Sequence, residues 1–234
     1  MIDVHCHFDL AQSPEKYISD NEDKEIITIG MTNLPSHFQM GINHIKPFKY
    51  IRLALGLHPL RAKEHINEYS KFRQYVNKTS YIGEVGLDFS REGFPTKEIQ
   101  IKSFKFVLDC IKDKPKIISL HARRAEETVL EMLLADGINN AIFHWYSGSL
   151  STLRKIISKG FYFSINTAMI QSVNGKKNIS EMPKELLLTE TDFPFIADNN
   201  IEKVHCHLSQ LWDIPVLKVE EIISENLKKM TDLL

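Results

Sequence analysis

Eight short apolar runs alternate with longer stretches in which apolar residues return every three or four positions, and this alternation restricts the possible folds most. The runs are 1–5, 26–31, 50–57, 80–84, 116–120, 140–144, 160–165 and 185–190. Ile26-Ile27-Thr28-Ile29 and Leu186-Leu187-Leu188 are apolar on consecutive positions, as expected of parallel strands covered on both faces. Between runs, Ile99, Phe104, Val107, Leu108 and Ile111, and then Ala125, Val129, Leu130, Met132 and Leu133, carry helical spacing. Pro115 and Gly160 stand where helices should stop, and 216–234 reads as a closing helix. With no linker or repeat in 234 residues, residues 1–234 are expected to form one α/β domain, a (β/α)8 TIM-like barrel. A seven-stranded barrel and an open doubly wound sheet share much of this pattern.

The polar residues closing the runs favour the barrel, because barrel enzymes place their chemistry at the C-terminal ends of the strands. His5 and His7 are two apart on the first strand and share one face, leaving Val4 and Cys6 for the helix side. Glu84, His121, His144 and Asp192 close four further runs. A buried lone carboxylate or imidazole is costly unless paired or bound to metal, so packing does not explain this set. The six residues form a candidate metal centre. Imidazole and carboxylate ligands without cysteine suit Zn, Mn, Fe, Co or Ni, with Mg held more loosely, and six are enough for two divalent ions if one carboxylate bridges.

Composition narrows the partners. A net charge of -1 excludes a broadly basic surface, so a nucleic acid would have to be held locally. Three cysteines, Cys6, Cys110 and Cys206, make no complete disulfide framework, which points to a reducing cytoplasm. Neither a signal peptide nor a membrane-length apolar segment is expected.

At these positions the chain resembles the TatD-type metal-dependent hydrolases, relatives of the amidohydrolase barrels. The resemblance lies in the His5-Cys6-His7 start, Gly56-Leu57-His58-Pro59, Gly83-Glu84-Val85-Gly86-Leu87-Asp88, His121-Ala122-Arg123, His144-Trp145-Tyr146-Ser147-Gly148 and Glu190-Thr191-Asp192-Phe193-Pro194, in the family's order. It implies a TIM-like barrel hydrolysing phosphodiesters, typically of DNA from the 3′ end. His5, His7 and Asp192 would hold one ion, His121 and His144 the other, and Glu84 would bridge. Asp192 and Glu84 would be the catalytic carboxylates, Asp192 taking the proton of the attacking water. His58 and Arg123 are assigned to substrate phosphate; for Arg123 the reason is direct, since a guanidinium clamps phosphate and ligates metal poorly.

A narrower resemblance, to the TatD-type nucleases of Qat antiphage-defence operons, lies in Leu55-Gly56-Leu57-His58-Pro59, Ser119 to Ala125, His144 to Ser149, and Phe163-Ser164 through Ala168-Met169. It implies antiviral defence and protein partners from such an operon; the deoxyribonuclease reading itself expects single-stranded DNA or free ends as substrate. After Pro194 the chain departs from the family: a proline-, arginine- and asparagine-rich stretch is replaced by Phe195-Ile196-Ala197-Asp198-Asn199-Asn200. An altered rim can change substrate without touching the metals, so a hydrolase of a small amide, ester or nucleotide remains an alternative, as does a scaffold subunit.

The remaining histidines read as bystanders. His205 and His207 lie in a stretch of helical spacing where i and i+2 diverge, so they are expected at a helix surface or edge. His37, His44 and His65 are expected to be exposed or locally bonded. Trp145 and Tyr146 fit either base stacking or rim packing.

Overall fold

Every strand pairing in the computed structural model, which describes residues 1–234, is parallel. The strands are β1 (Ile2–Cys6), β2 (Ile27–Gly30), β3 (Ile51–Leu53), β4 (Leu55–Leu57), β5 (Tyr81–Asp88), β6 (Ile117–Arg123), β7 (Ala141–His144), β8 (Tyr162–Ile165) and β9 (Leu187–Thr189). Helices intervene: α1 (Pro14–Asp23), α2 (Pro35–Ile45), α3 (His65–Tyr75), α4 (Lys97–Ile111), α5 (Glu126–Ala135), α6 (Leu150–Ser158), α7 (Thr167–Gln171), α8 (Val173–Glu181), α9 (Ile201–Trp212) and α10 (Val216–Thr231).

The strands run in chain order, β1-β2-β3 and then β4 to β9. Ala54 alone separates β3 from β4, and its N–H donates to Gly30 O at 2.8 Å. Thr32 Oγ1 bridges this turn, donating to Ala54 O at 2.9 Å and accepting from Gly56 N at 3.0 Å. At the other seam Thr189 Oγ1 donates to Ile2 O at 2.5 Å and Asp192 N to His5 O at 3.0 Å, closing the sheet on itself as a (β/α)8 TIM-like barrel. One apolar cluster from Ile2 to Met230 draws on all nine strands. Fully buried side chains such as Phe104, Phe143 and Phe163 contribute about 1.5–3 kcal/mol each relative to exposure.

Two differences from the sequence reading matter for the site. The run 50–57 is two strands, because its hydrogen-bonding partner changes from β2 to β5 at Ala54. Strands β5 and β6 run on past the expected ends 84 and 120, their ladder continuing through Gly86–His121, Leu87–Ala122 and Asp88–Arg123. Polar residues do not end these strands because they face the barrel mouth. His121 and Arg123, two apart on β6, therefore share a face. Gly86 permits the close approach: its φ is +134°, and a Cβ there would stand 2.1 Å from His121 O.

Helix ends are set by local chemistry. Ser149, Asn166, Ser172 and Asn200 each cap a helix by accepting a backbone N–H, and Gly160 follows α6 at φ +76°. No helix is long and apolar enough to cross a membrane.

Candidate metal centre

The six expected ligands converge at the mouth. β1 supplies His5, with His7 just beyond its end; β5 supplies Glu84, β6 His121 and β7 His144, while Asp192 follows β9 in a left-handed conformation at φ +46°. His5, His7, Glu84 and Asp192 are buried; His121 and His144 are partly open to a cavity of about 450 Å³.

Glu84 stands at the centre. Its Oε1 lies 2.6 Å from His121 Nδ1 and 3.1 Å from His144 Nε2. Its Oε2 lies 3.1 Å from His7 Nε2, 3.6 Å from His5 Nε2 and 3.2 Å from His58 Nε2. Asp192 Oδ1 joins the second side, 3.7 Å from His5 Nε2 and 4.0 Å from His7 Nε2. The two oxygens of one carboxylate thus face different histidines, His121 and His144 on one side and His5, His7 and His58 on the other.

Outer contacts orient the rings. His5 Nδ1 meets Ser119 Oγ at 2.8 Å, His121 Nε2 meets Asp88 Oδ2 at 2.8 Å, and His144 Nδ1 is 3.5 Å from Glu190 Oε1. Glu190 also accepts from Ser164 Oγ and, at 2.7 Å, from Asn166 Nδ2. A carboxylate behind an imidazole fixes its tautomer and raises its basicity toward a cation. On the seam, Asp3 accepts from Thr191 N at 3.0 Å and Thr191 Oγ1 at 2.6 Å, tying β1 to the residue before Asp192.

His58 differs from the other histidines. Its Nδ1 accepts from Leu60 N at 3.1 Å, so in the neutral ring the proton sits on Nε2, the atom facing Glu84. Burial lowers its pKa and favours that neutral ring. His58 therefore presents a donor, suited to an oxygen anion rather than to a cation.

Charge is divided unevenly. His5 and His144 stack with centroids 3.9 Å apart and planes 7° apart, so both cannot easily be cationic. Burial and the neighbouring His144 pull His5 down to about 4. Burial pulls on His144 in the same direction, but the charges of Glu190 and Glu84 together outweigh it and push its pKa well above the ordinary value. Burial would also raise Glu84, yet His58, His121 and His144 hold it well below the usual range. Asp192 is pushed up by burial to about 7.

The donor set fits divalent cations. His5 Nε2 is buried without a hydrogen-bond partner and is directed at two carboxylates beyond hydrogen-bond reach. A cation ligated by this imidazole with either carboxylate would satisfy it. By distance the potential ligands fall into three overlapping groups: His5, His7 and Glu84; His5, His144 and Asp192; His58, Glu84 and His121. His144 thus lies near both sides of the centre.

Arg123 is exposed on the cavity wall. Trp145 is also exposed, whereas Tyr146 is buried and donates its hydroxyl to Ser149 O at 2.7 Å, so Tyr146 packs the rim. Phe195, from the stretch that departs from the family pattern, is 60% exposed and borders the cavity. Asp88 and Glu190 carry no role in the sequence reading, although each stands on the same strand or loop as an expected ligand. Spacing was the available signal: Asp88 is four residues after Glu84, and Glu190 two before Asp192.

One expectation is overturned. His205 is buried rather than at a surface, 3.3 Å from Glu220 Oε1 between α9 and α10. The reason is helical register, since Ile201, His205 and Leu208 follow i, i+4, i+7 on the buried face. His207 is partly exposed. His65 is buried, and its Nε2 contacts His58 O at 2.9 Å, a local bond as expected.

Comparisons with known proteins agree on the fold and the family. The family model described as TatD-related DNase matches residues 2–232. An uncharacterized metal-dependent hydrolase of Methanocaldococcus jannaschii is 26% identical, covering 96% of this chain and 94% of its own. A deoxyribonuclease of Homo sapiens is 22% identical, covering 98% and 94%. The crystal structure of a TatD homologue from Escherichia coli superposes with a TM-score of 0.85 at 20% identity, covering 98% of this chain and 97% of that one.

Proposed function

The chain belongs to the TatD-related DNase family of metal-dependent hydrolases, and from that premise we propose that it hydrolyses phosphodiester bonds of DNA, removing nucleotides from single strands or free ends. The observation carrying this reading is the division of Glu84. One of its oxygens faces His121 and His144, the other His5 and His7 beside Asp192. Such a carboxylate suits a bridge between two divalent ions, Mg, Mn or Zn, the usual clamp for displacement at phosphorus. Bound there by His5, His7, Asp192, His121, His144 and Glu84, the ions would supply positive charge to the phosphoryl oxygens and acidify water.

The chain's own groups supply the rest. Arg123 holds the phosphate from the cavity wall through paired N–H donors. His58 donates its Nε2–H toward a phosphate oxygen, its tautomer held by Leu60. Asp192, buried with its Oδ1 beside His5 and His7, accepts the proton of the attacking water. Asp88 keeps His121 turned inward through a hydrogen bond, and the Glu190 carboxylate, 3.5 Å from His144 Nδ1, holds that ring by charge.

The relatives named deoxyribonuclease support DNA as the substrate. The motifs shared with Qat-type nucleases support a cytoplasmic role in antiphage defence beside the other products of such an operon. Purified protein is incubated with end-labelled single-stranded DNA and Mg or Mn, alongside Asp192→Asn. The wild type should release mononucleotides progressively, and the variant should be slower by about a hundredfold or more, as for loss of a general base. Equal inertness of both would refute the reading. Intact DNA with turnover of a carbonyl substrate would move it to small-molecule hydrolysis. Loss of phage protection by an operon carrying Asp192→Asn tests the defence role.

A further inference from the structure

Next to the metal cavity lies a second one, of about 360 Å³, and the two share Trp145, Tyr146 and Ser147 as a common wall. The far side comes from the β8 end of the barrel: Met169 on α7, Ser172 and Asn174 at the start of α8, and Asn178 further along it. The contrast in chemistry is sharp. The metal cavity is lined by Arg123, by carboxylates and by histidines, whereas no charged side chain lines the second. Its polar groups are hydroxyls and amides, and its apolar surfaces are the Trp145 indole, Met169 and Val173. Asn178, 4% exposed, has only a long 3.5 Å contact from Nδ2 to Gly148 O.

Trp145 is held unusually. It follows His144 directly, its φ is +39°, and the residue is 36% exposed, although Phe143 and Tyr146 close by in the chain are buried. A bulky residue in the left-handed region is strained, and an exposed one is not compensated by core burial. The strained turn sets the indole on the boundary between the two cavities.

We infer that the second cavity is a nucleobase subsite, in which the base adjoining the scissile phosphate stacks on Trp145 and turns its polar edge to Asn174, Asn178 and the serine hydroxyls. The inference rests on the phosphodiesterase reading for the phosphate's position, and it divides the substrate by chemistry. The anionic phosphate goes to the charged cavity, and the neutral flat base goes to the neutral one. A paired, stacked base cannot reach an indole face, so the subsite selects single strands or frayed ends.

The test uses the full chain with Trp212→Phe, which leaves Trp145 as the only tryptophan. With metal chelated, its emission is titrated with trideoxyuridylate, with the ribose trimer, and with a trimer abasic at the middle position. Quenching by a base-bearing trimer, with the abasic one about tenfold or more weaker, is expected from the usual strength of base–aromatic stacking. Quenching by either base-bearing trimer supports the subsite, and the tighter one identifies DNA or RNA as its source. In cleavage assays Trp145→Ala should raise KM about tenfold or more while kcat and Mn affinity stay within about twofold, and Trp145→Phe should recover most of the loss. Equal binding of abasic and base-bearing trimers, or an unchanged KM in a Trp145→Ala protein that still binds Mn, overturns the subsite even if DNA is cleaved. Quenching by an enzyme that cleaves no nucleic acid keeps the base subsite and instead sinks the phosphodiesterase reading.

Discussion

Replacing Asp88 by asparagine should damage cation binding more than replacing it by alanine, and the reason lies in one backbone contact. Ser90 N donates to Asp88 Oδ1 at 2.8 Å, while Asp88 Oδ2 meets His121 Nε2 at 2.8 Å. An asparagine here would keep its oxygen on Ser90 and turn its NH2 group to His121. His121 Nε2 would then have to accept, and the ring proton would move to Nδ1, the atom 2.6 Å from Glu84 Oε1. That removes the lone pair a cation on this side requires. Loss of an outer-shell partner typically costs about 10–100-fold in metal affinity. Asp88→Ala, which leaves the ring free to choose its tautomer, belongs near tenfold, and Asp88→Asn near a hundredfold, about 2.7 kcal/mol. Calorimetric titration of the chelator-stripped variants with Mn reads both constants, and thermal melts of the stripped proteins check that the fold is kept. Wild-type affinity in Asp88→Asn, or tighter binding than in Asp88→Ala, would refute the tautomer argument.

Arg123→Ala should raise KM for DNA by about 10–100-fold with Mn affinity unchanged, and Arg123→Lys should recover only part, because a point charge does not replace a bidentate fork; steady-state kinetics with a Mn titration decide this. Burial pulls His65 down to about 4, so between pH 6.5 and 4 the unfolded chain binds a proton that the folded one does not. Stability contributed by neutral His65 is complete above pH 6.5 and is lost on acidification through that window, by up to about 1.4 kcal/mol per pH unit. Denaturant titrations across the window should therefore show a shallower pH slope in His65→Asn than in the wild type. Gly86→Ala forces a Cβ against His121 O at a positive φ, and should weaken Mn binding at least tenfold on the scale of other site-orienting residues; wild-type affinity by calorimetry would show that β5 and β6 separate without cost.

The barrel was legible because strand and helix periods alternate cleanly, and the ligands because His5, Glu84, His121, His144 and Asp192 interrupt or follow apolar runs with groups too costly to bury alone. The orienting residues were hidden for a physical reason. Asp88 and Glu190 act only through His121 and His144, and spacing along one strand puts a residue on a face without showing which ring on another strand it meets. Strand ends were misplaced where polarity was taken as a boundary, although in β5 and β6 it marks the barrel mouth. His205 shows the same effect in a helix, where a titratable side chain occupies a buried register position and meets Glu220 from α10. The neutral cavity beyond Trp145 was invisible for another reason: it joins the β7 loop to α7 and α8, which meet only through the pairing of β7 with β8.

The central claim is that one carboxylate, Glu84, joins two cation sites. Crystals grown with Mn and measured at its absorption edge test it most directly. Two anomalous peaks about 3.5–4 Å apart are expected, one by Glu84 Oε2 among His5, His7 and Asp192, the other by Oε1 between His121 and His144. A single peak, or two that do not share Glu84, would contradict the account.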